Sequence, residues 1–269
     1  MKALGRAMVA LLLLAATVGI SFAQETGEGE LELTYVLPDF QPYWPTSMLN
    51  SVSMTTGNNR DRLVSCDDWT SIDPTPITGQ RIISFQLASA NLGRGHLRTR
   101  RTLTPEGWQT YQTVSQQDQF GRCHAEEFPV AVVPTGGDQS GRWLPLSQFA
   151  LYSVTKDGGF GDRVSCQVKR WCCLVSSATC STNPPCSLPP QTDSINAGTR
   201  DVYPYHWLDQ FILVEGLPTG YYWLEHIINP FFQLAETDYS NNFIYFLIYL
   251  DQEANRVTVA IPPDPPVCP

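Results

Sequence analysis

Leu217-Pro-Thr-Gly-Tyr-Tyr-Trp-Leu-Glu-His-Ile-Ile228 opens with a tight turn and runs straight into a strand. Proline presets φ, glycine accepts φ > 0, and the aromatic and β-branched residues that follow suit a pleated, half-buried surface. Phe243-Ile-Tyr-Phe-Leu-Ile-Tyr-Leu250 repeats that composition. Working outward, Arg81-Ile-Ile-Ser-Phe-Gln-Leu87 alternates with period two. Phe128-Pro-Val-Ala-Val-Val133, Gln148-Phe-Ala-Leu-Tyr-Ser-Val154 and Gln210-Phe-Ile-Leu-Val214 are further short apolar runs, punctuated by Pro, Gly, Asn and Asp. No window of a dozen residues carries a helical stripe. The chain therefore reads as an all-β sandwich with long disulfide-pinned loops, its last three strands at the sandwich edge.

The composition agrees with a globular chain. Of 269 residues, 42% are hydrophobic and 16% charged, with 21 Pro and 19 Gly, which excludes disorder, collagen and coiled coil as overall descriptions. Lys2 and Arg6 precede an apolar run from Ala7 to Ile20 and then Ser21-Phe22-Ala23, the pattern of a secretory signal peptide cleaved after Ala23. Removing that segment lowers Lys+Arg from 17 to 15 against 26 Asp+Glu and moves the formal charge from −9 to −11. No later apolar run reaches the roughly 18 to 20 residues of a membrane helix. The expected organisation is a signal peptide at 1–23, a Gly/Glu-rich disordered segment at 24–34, one domain at 35–252 and a Pro-rich tail at 253–269.

All eight cysteines follow the signal segment, and in an oxidising compartment that favours disulfides, although eight cysteines allow roughly a hundred connectivities. Residues 172–198 read as a disulfide-pinned loop. An acidic chain is a poor nucleic-acid binder, and the cluster Arg94, Arg98, Arg100 and Arg101 reads as a solvated face.

The densest chemistry is Glu236-Thr-Asp-Tyr-Ser-Asn-Asn242, which places two carboxylates and two carboxamides in seven residues ahead of a strand. Hard oxygen ligands at this density suit Ca²⁺, which accepts six to eight oxygens at flexible angles. A turn with Asx caps explains the same residues. Leu37-Pro-Asp39-Phe40 is a second oxygen-rich point that could close a calcium site from the other end of the chain. Nucleophilic catalysis finds little support: only His96, His124, His206 and His226 exist, with no Gly-x-Ser-x-Gly elbow. No two of these histidines share the local spacing of a transition-metal site.

These motifs, taken in order from Leu37 to about Leu250, resemble the catalytic domain of lysyl oxidase, a secreted copper amine oxidase acting on collagen and elastin lysines. The resemblance rests on Leu37-Pro-Asp39, Arg81-Ile-Ile-Ser-Phe85, Asn91-Leu-Gly93, Gln148-Phe149 with Tyr152, and Cys166 with Cys172. It continues through Gly198-Thr-Arg-Asp-Val-Tyr203, Asp209-Gln-Phe-Ile212, Leu217-Pro-Thr-Gly220, Asn229-Pro230 and Glu236-Thr-Asp-Tyr-Ser-Asn-Asn242. Residues 102–119 read as an insertion. The resemblance implies a structural calcium held by Asp39, the Phe40 carbonyl, Glu236, Asp238, Asn241 and Asn242, and a Cys166–Cys172 disulfide. The copper-histidine positions fall at Ser140, Arg142, Leu144 and Leu151, none of which carries an imidazole. Tyr203 matches the tyrosine of the lysyl tyrosylquinone cofactor, but its lysine partner falls near Asp162 or Arg163. Copper and quinone are thus expected to be lost together.

The function expected from this pattern is a secreted, catalytically inactive lysyl-oxidase-like protein with structural calcium, acting as an extracellular matrix or binding component. Its acidic surface would favour basic secreted partners. One alternative is a divergent copper-dependent protein-lysine 6-oxidase recruiting scattered histidines such as His124 and His206 beside Tyr203, with its quinone built from Lys156 or Lys169 or with a tyrosine-only cofactor. Another is a calcium-dependent adhesive or glycan-binding sandwich.

Overall fold

Strands form where alternation lets one side of the chain bury and the other face water, and that pattern recurs along this sequence. The structure, a computed structural model, describes residues 32–44, 51–133, 144–170, 177–179, 186, 194–204 and 210–261. These residues contain no α-helix. In chain order the strands are β1 (Leu33–Val36), β2 (Phe40–Tyr43), β3 (Ser53–Thr56), β4 (Arg81–Ser84), β5 (Leu87–Asn91) and β6 (Leu97–Thr104). There follow β7 (Gly107–Asp118), β8 (Cys123–Val133), β9 (Pro145–Val154), β10 (Phe160–Arg170), β11 (Ser177–Thr179) and β12 (Ser194–Ile195). The last are β13 (Thr199–Tyr203), β14 (Phe211–Leu213), β15 (Gly220–Ile228), β16 (Phe243–Asp251) and β17 (Arg256–Ile261).

The central sheet runs β10-β9-β15-β16-β17, antiparallel throughout. Its inner rows, among them Phe149 and Leu151 of β9, Leu224 of β15 and Phe246 and Ile248 of β16, are fully buried. They pack in one cluster with Phe40, Ile83, Tyr203 and Ile212 of β2, β4, β13 and β14 on the opposite side, and with Phe85, which directly follows β4. Two smaller sheets supply that second layer, ordered β11-β13-β5-β2 and β14-β4-β3. A sheet centred on β7 joins β1, β6, β8 and β12. The all-β, sandwich-like reading therefore holds.

Several details differ from the sequence reading. The run 210–214 does not join β15 and β16: β14 pairs with β4 in the facing layer, and β15 lies in mid-sheet between β9 and β16. Residues 256–261, assigned above to the Pro-rich tail, form the edge strand β17. The insertion 102–119 is mostly β7, which pairs with both β6 and β8. Its inward row escaped notice because it is mostly polar: Thr110, Gln112, Gln116 and Asp118 are buried alongside Val114. Of the arginines read as a solvated face, Arg98 is buried and donates to Asn196 Oδ1 at 2.8 Å. Arg100 forms an ion pair with Glu127.

Candidate functional site

The two oxygen-rich motifs meet. The segment 37–39 crosses the loop after β5, where Gly93 and Gly95 leave no room for a side chain. A Cβ on Gly93 would stand 2.4 Å from the Asp39 nitrogen, and one on Gly95 would stand 2.1 Å from the Val36 oxygen. Asn91, wholly buried, fastens the crossing. Its Oδ1 accepts from the N–H of Asp39 at 3.1 Å and of Gly93 at 3.2 Å, while its Nδ2 donates to the carbonyls of Gly95 and Ile195. Thr237 N–H donates to the Pro38 carbonyl at 2.8 Å and brings the loop between β15 and β16 alongside.

That loop is held by buried amides. Asn229, with φ +50°, donates through Nδ2 to the Leu234 carbonyl and to Glu236 Oε1 at 2.7 Å. Gln112 of β7 exchanges two hydrogen bonds with the Ala235 backbone. Glu236 thus sits inside, accepting also from Asn242 Nδ2 at 2.6 Å and from the Phe40 N–H at 2.9 Å. Asn241 Nδ2 donates to Asp39 Oδ1 at 2.9 Å. Asp238 is more peripheral, exposed and capping Ser240 through its N–H and hydroxyl. Phe40 contributes its N–H to Glu236 and its ring to the core. Asn91, Asn229 and Gln112 were not singled out as site residues from the sequence. A paired Asn-Pro and an Asn-Leu-Gly are the only local signals for the first two.

The electrostatics of this cluster are unbalanced. Burial pushes the Glu236 carboxyl up to about 7, against the lowering effect of Asn229, Asn242 and the Phe40 N–H, and the Asp39 charge adds to the rise. Burial raises Asp39 as well, with Asp238 contributing repulsion. No arginine or lysine among the described residues pairs with either carboxylate. The Oδ1 atoms of Asn241 and Asn242 are buried without a hydrogen-bond donor. Orphaned amide oxygens beside uncompensated carboxylates fit a hard cation, which would satisfy both deficits at once. Among the described residues no three His, Cys, Asp or Glu side chains converge as a metal centre. A cation here would therefore draw on amide and backbone oxygens as much as on carboxylates.

The position matching the quinone tyrosine lies elsewhere. Tyr203, 1% exposed on β13, donates its hydroxyl to Asp201 Oδ2. The Nζ of Lys169, itself buried on β10, stands 4.7 Å from the Tyr203 ring centroid. Arg163, one of the two positions aligned with the cofactor lysine, is engaged with Asp67 at 2.8 Å. Of the copper-ligand positions, Leu144 and Leu151 are buried in the core, and Ser140 and Arg142 lie outside the described residues. These residues do not fit a copper site. His124 Nε2 lies 3.2 Å from Asp118 Oδ2, and His206 lies outside the described residues.

The expected Cys166–Cys172 bridge is corrected. Cys166 is bonded to Cys66, 100 residues earlier, and Cys123 to Cys186. Cys166 points away from the core, across from Ala150, and meets the loop carrying Cys66. Val64, Trp69 and Val168 form a small apolar cluster beside it. Cys172 lies outside the described residues.

No curated protein matches the chain. Residues 141–260, from just before β9 to the penultimate residue of β17, match the lysyl oxidase family model.

Proposed function

We propose that the chain is a secreted lysyl-oxidase-like protein that binds a structural calcium ion, lacks oxidase activity and works as an extracellular binding component. The observation carrying this reading is the pair of orphaned oxygens, Asn241 Oδ1 and Asn242 Oδ1, beside Asp39 and Glu236. Asp39, the Phe40 carbonyl, Glu236, Asp238, Asn241 and Asn242 would hold the ion, which would supply charge compensation and a link between the two chain ends of the domain. Loss of activity is supported by Leu144 and Leu151, apolar core residues at positions where the resemblance calls for imidazoles. Secretion is supported by the two disulfides, which persist in oxidising compartments. A role toward basic matrix proteins draws on the net charge of −9.

Metal analysis of the secreted protein, combined with a redox-cycling stain for protein-bound quinone, tests this. Calcium near one per chain, copper near zero and no stain are expected. Stoichiometric copper with a positive stain overturns the reading.

One observation favours a second reading, a divergent copper-dependent protein-lysine 6-oxidase: the Lys169 ammonium over the Tyr203 ring. On that reading the stain is positive, and Lys169→Arg, which keeps the cation but removes the primary amine, abolishes it together with peroxide release from an amine substrate.

A further inference from the structure

The outer face of the central sheet carries an aromatic layer with a buried carboxylate beneath it. Alternation sends Tyr222, Leu224, His226 and Ile228 of β15 into the core and turns Tyr221, Trp223, Glu225 and Ile227 outward. Antiparallel register then sets Trp223 between Tyr152 and Leu247, and Glu225 between Ala150 and Tyr245. Phe160, at the start of β10, stacks on Trp223 with centroids 5.1 Å apart and an interplanar angle of 22°. It stands edge-on to Tyr152 at 5.6 Å and to Tyr245 at 4.9 Å. Phe243 continues the layer beyond Tyr245. Phe160 and Phe243 are 47% and 48% exposed, so these rings form a surface.

Glu225 lies within that layer, only 5% exposed. Tyr152 Oη donates to Glu225 Oε2 at 3.0 Å, and the Tyr245 hydroxyl binds the same carboxylate. The Arg163 guanidinium, which also acts on Glu225 electrostatically, is drawn off to Asp67. Burying a carboxylate strips it of hydration, and two phenols return only part of what is lost. A positive charge above the layer would meet both the carboxylate and the negative faces of the rings. The chain's net charge of −9 steers such a partner inward. A neutral sugar is matched less well. Its hydroxyls need reachable acceptors, whereas the Glu225 oxygens are covered and already accept from phenols.

We propose that this face docks an arginine-bearing segment of a partner protein, with a guanidinium stacked on the Phe160 and Trp223 layer above Glu225. Guanidinium suits the site better than ammonium because it is planar, weakly hydrated and stacks on aromatic faces. The class of partner rests on the basic-partner reading above. The surface itself rests neither on calcium nor on lost catalysis.

The test titrates the full secreted chain with octa-arginine and with octa-citrulline, which keeps the shape and removes the charge, following tryptophan fluorescence. Phe160→Ser, an exposed change, and Glu225→Gln are each expected to weaken octa-arginine about tenfold with an unchanged melting midpoint. Glu106→Gln and Glu253→Gln, exposed acids outside the layer, should change it less than about twofold, and octa-citrulline should not bind. Equal losses in all four variants would mean diffuse charge attraction and overturn the proposal. Full retention in Phe160→Ser, or tighter binding of a neutral oligosaccharide, would overturn it too. If Glu225→Gln fails to fold, Phe160→Ser decides alone. Copper content and peroxide release from the same preparation judge the inactive-oxidase reading separately: an active enzyme whose Phe160→Ser variant loses octa-arginine would sink that reading and leave this one standing.

Discussion

The Phe40 N–H donates to Glu236 Oε2 at 2.9 Å across 196 residues of sequence. Asn241 Nδ2 to Asp39 Oδ1 closes a similar span, and Thr237 N–H to the Pro38 carbonyl a third. Three contacts thus clamp the start of the domain to the loop between β15 and β16. Closing so long a loop carries an entropy cost that only a well-satisfied junction offsets. The two amide oxygens left without donors mark where that junction is incomplete.

Calcium should complete it. A ligand at about 100 times its Kd stabilises by about 2.7 kcal/mol, which for a domain of this size raises Tm by roughly 5 to 10 °C. Calorimetry in calcium and in EDTA should show that difference for the wild type. The double variant Asp39→Asn, Glu236→Gln should show none. Coincident melting curves for the wild type would remove calcium from the site.

Asn91 is the pivot beneath the clamp, and its loss should be felt even without metal. Asn91→Ala strands the Asp39 and Gly93 N–H groups and the Gly95 and Ile195 carbonyls in a buried setting. The expected cost is on the order of 2 to 4 kcal/mol in urea denaturation. Gly95→Ala should also destabilise, since its Cβ would meet the Val36 carbonyl. A value within about 0.5 kcal/mol of wild type for Asn91→Ala would contradict the arrangement described.

Cys66–Cys166 encloses 100 residues of sequence separation. A crosslink over a loop of that size contributes about 4 to 5 kcal/mol by restricting the unfolded chain. Cys166→Ser should lower stability by that order, and non-reduced peptide mapping of the wild type should recover one fragment joining the segments around Cys66 and Cys166. A fragment joining Cys166 to Cys172 instead would restore the pairing that the resemblance implied.

What the sequence made legible follows from which physical signals are local. The runs at 148–154, 221–228 and 243–250 announce themselves because their buried rows are apolar, and the acid-amide motif at 236–242 because its donors are adjacent in sequence. Strand β7 did not, since it buries the polar side chains of Thr110, Gln112, Ser115 and Gln116, and the partners of Gln112 and Gln116, Ala235 and Glu126, come from other segments. Asn91 and Asn229 look like ordinary loop residues until their amides are seen bonded to distant backbone. The partner of Cys166 is likewise decided by where the loop around Trp69 folds back onto β10.

His226 gives the fold a predictable acid sensitivity. Its ring is fully buried between Trp44 and Phe149, and Nδ1 accepts from Trp44 Nε1 at 2.7 Å. The Nε2 atom therefore carries the proton, in a place without an acceptor. Burial pushes its pKa down to about 3. Because the folded-state value is depressed, the unfolded chain takes up a proton below pH ~6.5 that the folded chain refuses. Stability is present above that pH and falls as pH drops toward 3, by up to about 1.4 kcal/mol per unit. His226→Gln keeps an acceptor for Trp44 but cannot titrate. Its stability deficit relative to wild type should shrink by about that slope between pH 6 and pH 4 in denaturant titrations. A deficit that stays constant over this range would mean that the folded ring accepts the proton, against its enclosure between Trp44 and Phe149.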